Sequence, residues 1–125
     1  WIKDMLPHDQ LTAMLTAADL FVCPSIYEPL GIVNLEAMGC ETAVLGSRVG
    51  GIPEVVADKE TGELVDYHGE AAPFEKSLTE SITRLMSQPE LLKKYGAAGR
   101  VRAQKLFGWD AVAALTVDLY RKVIG

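Results

Sequence analysis

Residues 23–40 read CPSIYEPLGIVNLEAMGC, and this stretch decides the fold. It opens at the end of a short apolar run, 20–23, and a run that is apolar at every position predicts a strand buried on both faces. After a loop over 24–30, apolar residues at helical spacing predict a helix over 32–38, which Gly39 ends. A strand, a loop and a helix in this order are the unit from which parallel sheets are built.

The loop and the start of this helix carry the candidate site. Pro29 keeps Glu28 out of the helical region, so Glu28 projects toward the crevice beyond the carboxyl end of the strand, where ligands collect in open α/β sheets. The amides of Gly31 and the next two residues lie at the helix start, where unpaired N–H groups favour an anion such as a diphosphate. Glu36 lies about 7–8 Å further along the helix, which suits a ribose beyond the diphosphate. Spacing alone predicts an anion-binding α/β domain, and two solvated glutamates are the alternative.

The sequence around this stretch repeats the alternation of helix and strand. Helical spacing predicts a helix over 7–18, and apolar runs predict strands at 43–45 and 63–65, with a short turn at 54–57 between them. The alternation predicts the α/β class, with a partial, Rossmann-like parallel sheet flanked by helices. Such a sheet normally has about five or six strands. With three strands and a possible remnant at Trp1–Ile2, we expect a fragment whose first strands lie upstream.

The second half of the chain shows only helical spacing. It predicts three helices separated at Pro89 and Gly108, so the fold ends in a helical tail. Asp110 places a favourable charge at the start of the closing helix, 110–124. If the apolar face of this helix is exposed, we expect it to drive self-association into a homo-oligomer.

Composition excludes several classes of protein. A length of 125 residues with 49% hydrophobic and 23% charged residues indicates one soluble globular domain, 1–125. The net charge of −5 argues against a nucleic-acid partner or an anionic membrane surface. No run approaches the roughly 20 apolar residues of a membrane-spanning helix. Cys23 and Cys40 fit buried thiols in a reducing compartment, which predicts a cytoplasmic protein, and no residue pattern predicts a bound metal or cofactor.

Two motifs resemble the retaining glycosyltransferases of the GT-B architecture. Residues 28–36, EPLGIVNLE, match that family's pair of glutamates separated by seven residues, and residues 50–56, GGIPEVV, match the loop that follows. The sequence of residues 23–38 is similar to that of bacterial glycogen synthases that use ADP-glucose as donor. Smaller matches extend the resemblance over essentially the whole chain: Ala18-Asp19, Pro24-Ser25, Glu36-Ala37-Met38 and Phe107-Gly-Trp109.

The resemblance implies a role for each residue of the candidate site. Glu28 contacts the hydroxyls of the donor hexose near the reacting carbon, and Glu36 binds the ribose hydroxyls. The amides that hold the diphosphate belong to Leu30, Gly31, Ile32 and Val33. Gly50 and Gly51 form a loop beside the same crevice, where the missing side chains let the backbone approach a sugar or phosphate; a plain tight turn is the alternative.

The resemblance also implies a reaction, the transfer of glucose from ADP-glucose to the end of an α-1,4-glucan with retention of configuration. The acceptor site, and an arginine and a lysine that hold the donor phosphates, are expected in preceding segments that include an amino-terminal domain, so we expect the chain to be inactive alone. Two alternatives remain. One is a sister enzyme with another sugar nucleotide and a lipid or small-sugar acceptor, and the other is a non-enzymatic nucleotide-binding or assembly module.

Overall fold

The computed structural model describes residues 2–125, where helices and strands alternate and then give way to helices only. In chain order the elements are α1 (His8–Ala17), β1 (Leu20–Cys23), α2 (Ile32–Gly39), β2 (Ala43–Ser47), α3 (Ile52–Val55), β3 (Gly62–Val65), α4 (Ala71–Met86), α5 (Pro89–Phe107) and α6 (Trp109–Ile124). The three strands form one parallel sheet in the order β1-β2-β3. The predicted α/β class, with a helical tail, is confirmed.

Helices cover both faces of the sheet. All five residues of the central strand β2 are buried. Val44 packs into a cluster with Met38 of α2 and Ile52 of α3, on the face that α1 also covers. Ala43 and Leu45 pack into the opposite cluster, to which α4 and α5 contribute. Because successive side chains of a strand point to opposite faces, this division places β2 in the middle of three layers.

The edge strand β1 corrects the prediction of a strand buried on both faces. Only Cys23 is buried, and the other three residues are half-buried, because β1 lies at the edge of the sheet and pairs with β2 alone among the described strands. Cys40, also predicted to be buried, is half-buried, and both thiols are free. Of the possible strand remnant, Trp1 lies outside the described residues and Ile2 belongs to no strand.

Two other elements differ by two residues from their predicted bounds. β2 continues two residues beyond its predicted end, to Ser47. The predicted turn at 54–57 is the single helical turn α3, which begins earlier, at Ile52. The extension of β2 contains Gly46, and α3 begins directly after Gly51; glycine has no apolar side chain, so it adds nothing to the apolar pattern from which bounds are predicted.

The helical tail forms as predicted. Pro89 occupies the first turn of α5, and Gly108, with an extended backbone, separates α5 from α6. The predicted closing helix at 110–124 is confirmed, starting one residue earlier. It has no buried residue, and its apolar side chains stay open: Leu115 is 67% and Val123 76% exposed. Self-association through this face stays a prediction. Across residues 2–125, no helix combines the length and apolarity needed to cross a membrane.

One buried charge ties β3 to the helices on its face. The side chain of Glu63 is 3% exposed and accepts hydrogen bonds from Arg84 of α4, from Lys59 Nζ at 2.5 Å and from the Tyr95 hydroxyl of α5 at 3.2 Å. Burial raises the pKa of Glu63, but the hydrogen bonds from Arg84 and Lys59 outweigh burial and hold this pKa below its ordinary value. The ionised carboxylate therefore fixes α4 and α5 over the sheet.

Candidate functional site

The candidate site lies at one edge of the sheet. Loops follow β1 at residues 24–31 and β2 at residues 48–51, and the chain leaves β3 at Asp66. The strands are parallel, so their carboxyl ends lie together and these three segments are neighbours. The predicted crevice residues are thus brought to the same edge.

Glu28 is held against the start of α2. It is half-buried, and its Oε1 accepts a hydrogen bond from the N–H of Gly31 at 3.1 Å. Gly31 has φ +89°, in the left-handed region that favours glycine. A Cβ at this position would lie 2.5 Å from Asn34 Nδ2. Backbone conformation and packing therefore both require glycine here, and the glycine keeps its amide close to the Glu28 carboxylate.

The start of α2 is open to solvent. Apart from the bond between the Gly31 amide and Glu28, no side chain within residues 2–125 caps this helix by a hydrogen bond. The N–H groups of Ile32 and Val33 belong to the first turn, which has no intrahelical partners for them, and the two residues are 62% and 43% exposed. Leu30, which precedes them, is 37% exposed. This end of the helix carries partial positive charge and can bind an anion.

Glu36 lies one turn further along α2 and is half-buried. Together with Leu11, Met14 and Val33 it lines an apolar groove of about 390 Å³ between α1 and α2. Glu36 thus borders a concave, apolar surface between the two helices. A ribose at this carboxylate stays a prediction.

Gly50 and Gly51 interlock with the loop that carries Glu28. A Cβ on Gly50 would overlap the carbonyl oxygen of Glu28, and a Cβ on Gly51 would overlap Pro29 O and lie 2.6 Å from Leu30 Cα. The N–H of Gly51 also donates to the Glu28 carbonyl at 3.0 Å. Contact between the two loops is therefore enough to require both glycines. Contact of Gly50 and Gly51 with a donor stays a prediction.

Arg48 forms ion pairs with two aspartates. Its Nη2 lies 2.6 Å from Asp58 Oδ2 and its Nε 2.8 Å from Asp66 Oδ1. The hydrogen bond to Asp58 is the main reason why the pKa of Arg48 is raised above its ordinary value. The arrangement neutralises the guanidinium and ties the loop after β2 to the end of β3.

Sequence reasoning missed two buried polar residues in the site. The Ser47 hydroxyl donates to the Ser25 carbonyl and so joins the loop after β1 to the end of β2. Asn34 has no exposed surface, although it lies between the two motif glutamates. Its spacing could have indicated burial. Asn34 lies four residues before Met38 and therefore on the same face of α2, which is the buried face.

Metal ligands do not converge in the part of the chain that the structure describes. No group of three or more His, Cys, Asp or Glu side chains there is arranged to hold an ion. His8 and His68 are both exposed.

Comparison with known proteins places this geometry in a family context. A family model for glycosyl transferases group 1 matches residues 3–102. The chain is 51% identical over 124 residues to the alpha-maltose-1-phosphate synthase of Mycolicibacterium smegmatis, a match that covers 98% of this chain and 32% of that protein. It is 37% identical over 117 residues to the D-inositol 3-phosphate glycosyltransferase of Streptomyces bingchenggensis, which covers 94% of this chain and 24% of that protein.

A solved structure agrees with the sequence matches. The sucrose-phosphate synthase from Thermosynechococcus elongatus superposes with a TM-score of 0.82 at 38% identity, over 96% of this chain and 29% of that one. The chain therefore spans about a third or less of the length of the proteins that it matches.

Proposed function

This chain belongs to the group 1 glycosyl transferases, and we propose that it forms the carboxy-terminal, donor-binding domain of a retaining hexosyltransferase. The observation that carries the proposal is the pairing of a loop carboxylate, Glu28, with the open start of α2 at the carboxyl edge of a parallel sheet. An anion-binding helix start beside a carboxylate suits a ligand that has a diphosphate next to a sugar.

Each part of the site has a proposed task. The amides at and just before the start of α2, from Leu30 to Val33, hold the donor diphosphate, Glu28 orients the hexose and Glu36 binds the ribose. Gly50 and Gly51 hold the Glu28 loop in place and let backbone approach the donor. During transfer, positive charge develops on the sugar ring and negative charge on the departing diphosphate, so amides aimed at the diphosphate stabilise the leaving group. Positioning of the hexose supplies much of the remaining rate increase, and Glu28 orients rather than attacks.

The rest of the catalytic apparatus is proposed to lie outside this chain. The relatives are about three times longer or more. An amino-terminal domain would bind the acceptor and close over the donor, and upstream segments would supply the arginine and lysine for the phosphates. The chain by itself would then be inactive, and the cytoplasmic location stays a prediction.

For donor and acceptor, the sequence resemblance favours glucose transfer from ADP-glucose to an α-1,4-glucan. The names of the relatives favour a second acceptor class. All three name a phosphorylated sugar or cyclitol: maltose 1-phosphate, inositol 3-phosphate and sucrose phosphate. Maltose 1-phosphate is a glucosyl unit joined to glucose 1-phosphate, so a sugar phosphate is the candidate acceptor to compare with glucan.

The test is a donor-consumption assay on the full-length protein that contains this chain. ADP-glucose and UDP-glucose are each offered with glycogen or with glucose 1-phosphate, and nucleoside diphosphate release and the glycosylated product are measured. We expect Glu28→Ala and Glu36→Ala to lower kcat/KM by about 100-fold or more, whereas Glu75→Ala, on the exposed surface of α4, stays at wild-type activity.

The acceptor that yields product decides between glucan and sugar phosphate. Product from neither acceptor, with both donors intact, would leave a lipid or other small acceptor. Failure to bind any nucleoside diphosphate would refute the donor-site proposal and favour a non-enzymatic module.

A further inference from the structure

Asn34 is the buried polar group that the site leaves without a partner. Its side chain has no exposed surface, and neither Nδ2 nor Oδ1 has a hydrogen-bond partner anywhere in residues 2–125. Buried amides are nearly always paired, because an unpaired one loses its hydrogen bonds to water without replacement. An exception at the centre of a candidate site calls for a reason.

The Asn34 amide points at the junction between Glu28 and the start of α2. The Cβ position of Gly31 lies 2.5 Å from Asn34 Nδ2, 3.5 Å from Glu28 Cγ and 3.4 Å from Ile52 Cγ1. The separation between the Asn34 amide nitrogen and Glu28 Cγ therefore cannot exceed the sum of the first two distances. Ile52 is an apolar neighbour at the same point, and Glu28 is the carboxylate that these distances place near this amide.

Glu28 and a bound diphosphate would compete for the same donor. The Glu28 carboxylate now accepts the N–H of Gly31 at 3.1 Å. That amide belongs to the group at the start of α2 which the proposed function assigns to the diphosphate. Two anions on one amide repel each other, so the carboxylate has to leave when the diphosphate arrives.

We propose that Asn34 is a positioning residue that receives the Glu28 carboxylate when the donor diphosphate takes the Gly31 amide. Its Nδ2–H then donates to Glu28, and the hexose-orienting carboxylate stays fixed beside the donor. The proposal rests on the proposed function and adds to it a residue that touches neither donor nor acceptor.

The test is a double-mutant cycle on nucleotide binding by the full-length protein. The dissociation constants of ADP and UDP are measured by calorimetry for wild type, Asn34→Leu, Glu28→Ala and the double variant. Without the amide, Glu28 has no second partner and stays on Gly31, so we expect Asn34→Leu to weaken binding by about tenfold. In the Glu28→Ala background the competitor is gone, and the same substitution should change binding by less than about twofold.

Stability separates this role from a structural one. Leucine keeps the branched shape of asparagine, with larger methyl groups in place of the amide atoms, and removes an unpaired polar group, so we expect the melting temperature of Asn34→Leu not to fall. Asn34→Ala, which also lacks the amide, keeps the test valid if leucine disturbs packing. Met38→Leu, a buried volume-conserving change on the same helix, is the matched control and should leave binding unchanged.

The outcomes are distinct. Equal loss of nucleotide affinity in both Glu28 backgrounds, or no loss at all, would overturn the role of Asn34 while the donor site stands. A wild-type protein that binds neither ADP nor UDP would instead remove the proposed function itself.

Discussion

Gly51→Ala should separate the two loops of the site. The added Cβ would overlap Pro29 O and lie 2.6 Å from Leu30 Cα and 3.1 Å from the Pro29 carbonyl carbon. Ordinary carbon contacts lie at about 3.5–4.0 Å, and backbone atoms cannot rotate away as a side chain can, so the Glu28 loop has to shift by about 1 Å. Overpacking of this kind costs about 1–3 kcal/mol of unfolding free energy.

The same shift should weaken nucleotide binding, because it moves Glu28 and Leu30 relative to the start of α2. Urea unfolding and calorimetric titration with ADP and UDP measure the two effects. Gly39→Ala is the matched control: it changes a glycine of α2 that has no neighbouring atom within 4 Å of its Cβ position. This control should raise the unfolding free energy by at most about 0.5–1 kcal/mol, since alanine favours helix over glycine and Gly39 is the last residue of α2, and it should bind nucleotide normally. If Gly51→Ala has wild-type stability and affinity, the loops are not tightly interlocked and our reason for the two glycines is wrong.

Three further predictions concern charge and association. Glu63→Gln should lower the unfolding free energy by about 2–3 kcal/mol at pH 7. Folding lowers the pKa of this carboxylate, so its contribution is complete above the unfolded pKa of about 4.3 and is lost as the pH falls through the folded value. Urea unfolding should therefore show the gap to wild type closing below about pH 4, and a gap that is constant from pH 7 to 3 would contradict the ionised network. Arg48→Gln should change calorimetric ADP and UDP affinity by less than about threefold, because two carboxylates already neutralise this residue, and a much larger loss would mean that its charge reaches the donor. Leu115→Ser should weaken self-association, as measured by sedimentation velocity. A wild-type protein that is strictly monomeric at high concentration would contradict self-association through the apolar face of α6.

Most of the fold could be predicted from local signals. The bounds of β1 match the apolar run at 20–23, and α1, at His8–Ala17, lies within one residue of its predicted ends. Burial was less predictable, because it depends on where a strand lies in the sheet. Nothing within 20–23 indicates that β1 is an edge strand.

Long-range partners account for what the sequence did not reveal. Glu63 appears as a polar residue in a short strand, and its burial depends on Arg84 and Tyr95, which are 21 and 32 residues away. In the site, the two motif glutamates and the open helix start could be predicted from spacing. The unpaired amide of Asn34 could not, because its surroundings depend on Ile52 of another helix.

The interlock between residues 28–30 and Gly50–Gly51 constrains how the loops of the proposed donor site can be engineered. The two loops touch through backbone atoms, so truncating a side chain cannot make room at this contact for a loop of different shape. A loop transplanted from a relative will fit only if the facing loop is transplanted with it. Chimeras and libraries of this domain should therefore treat the two segments as one cassette, and paired changes in natural sequences should link them.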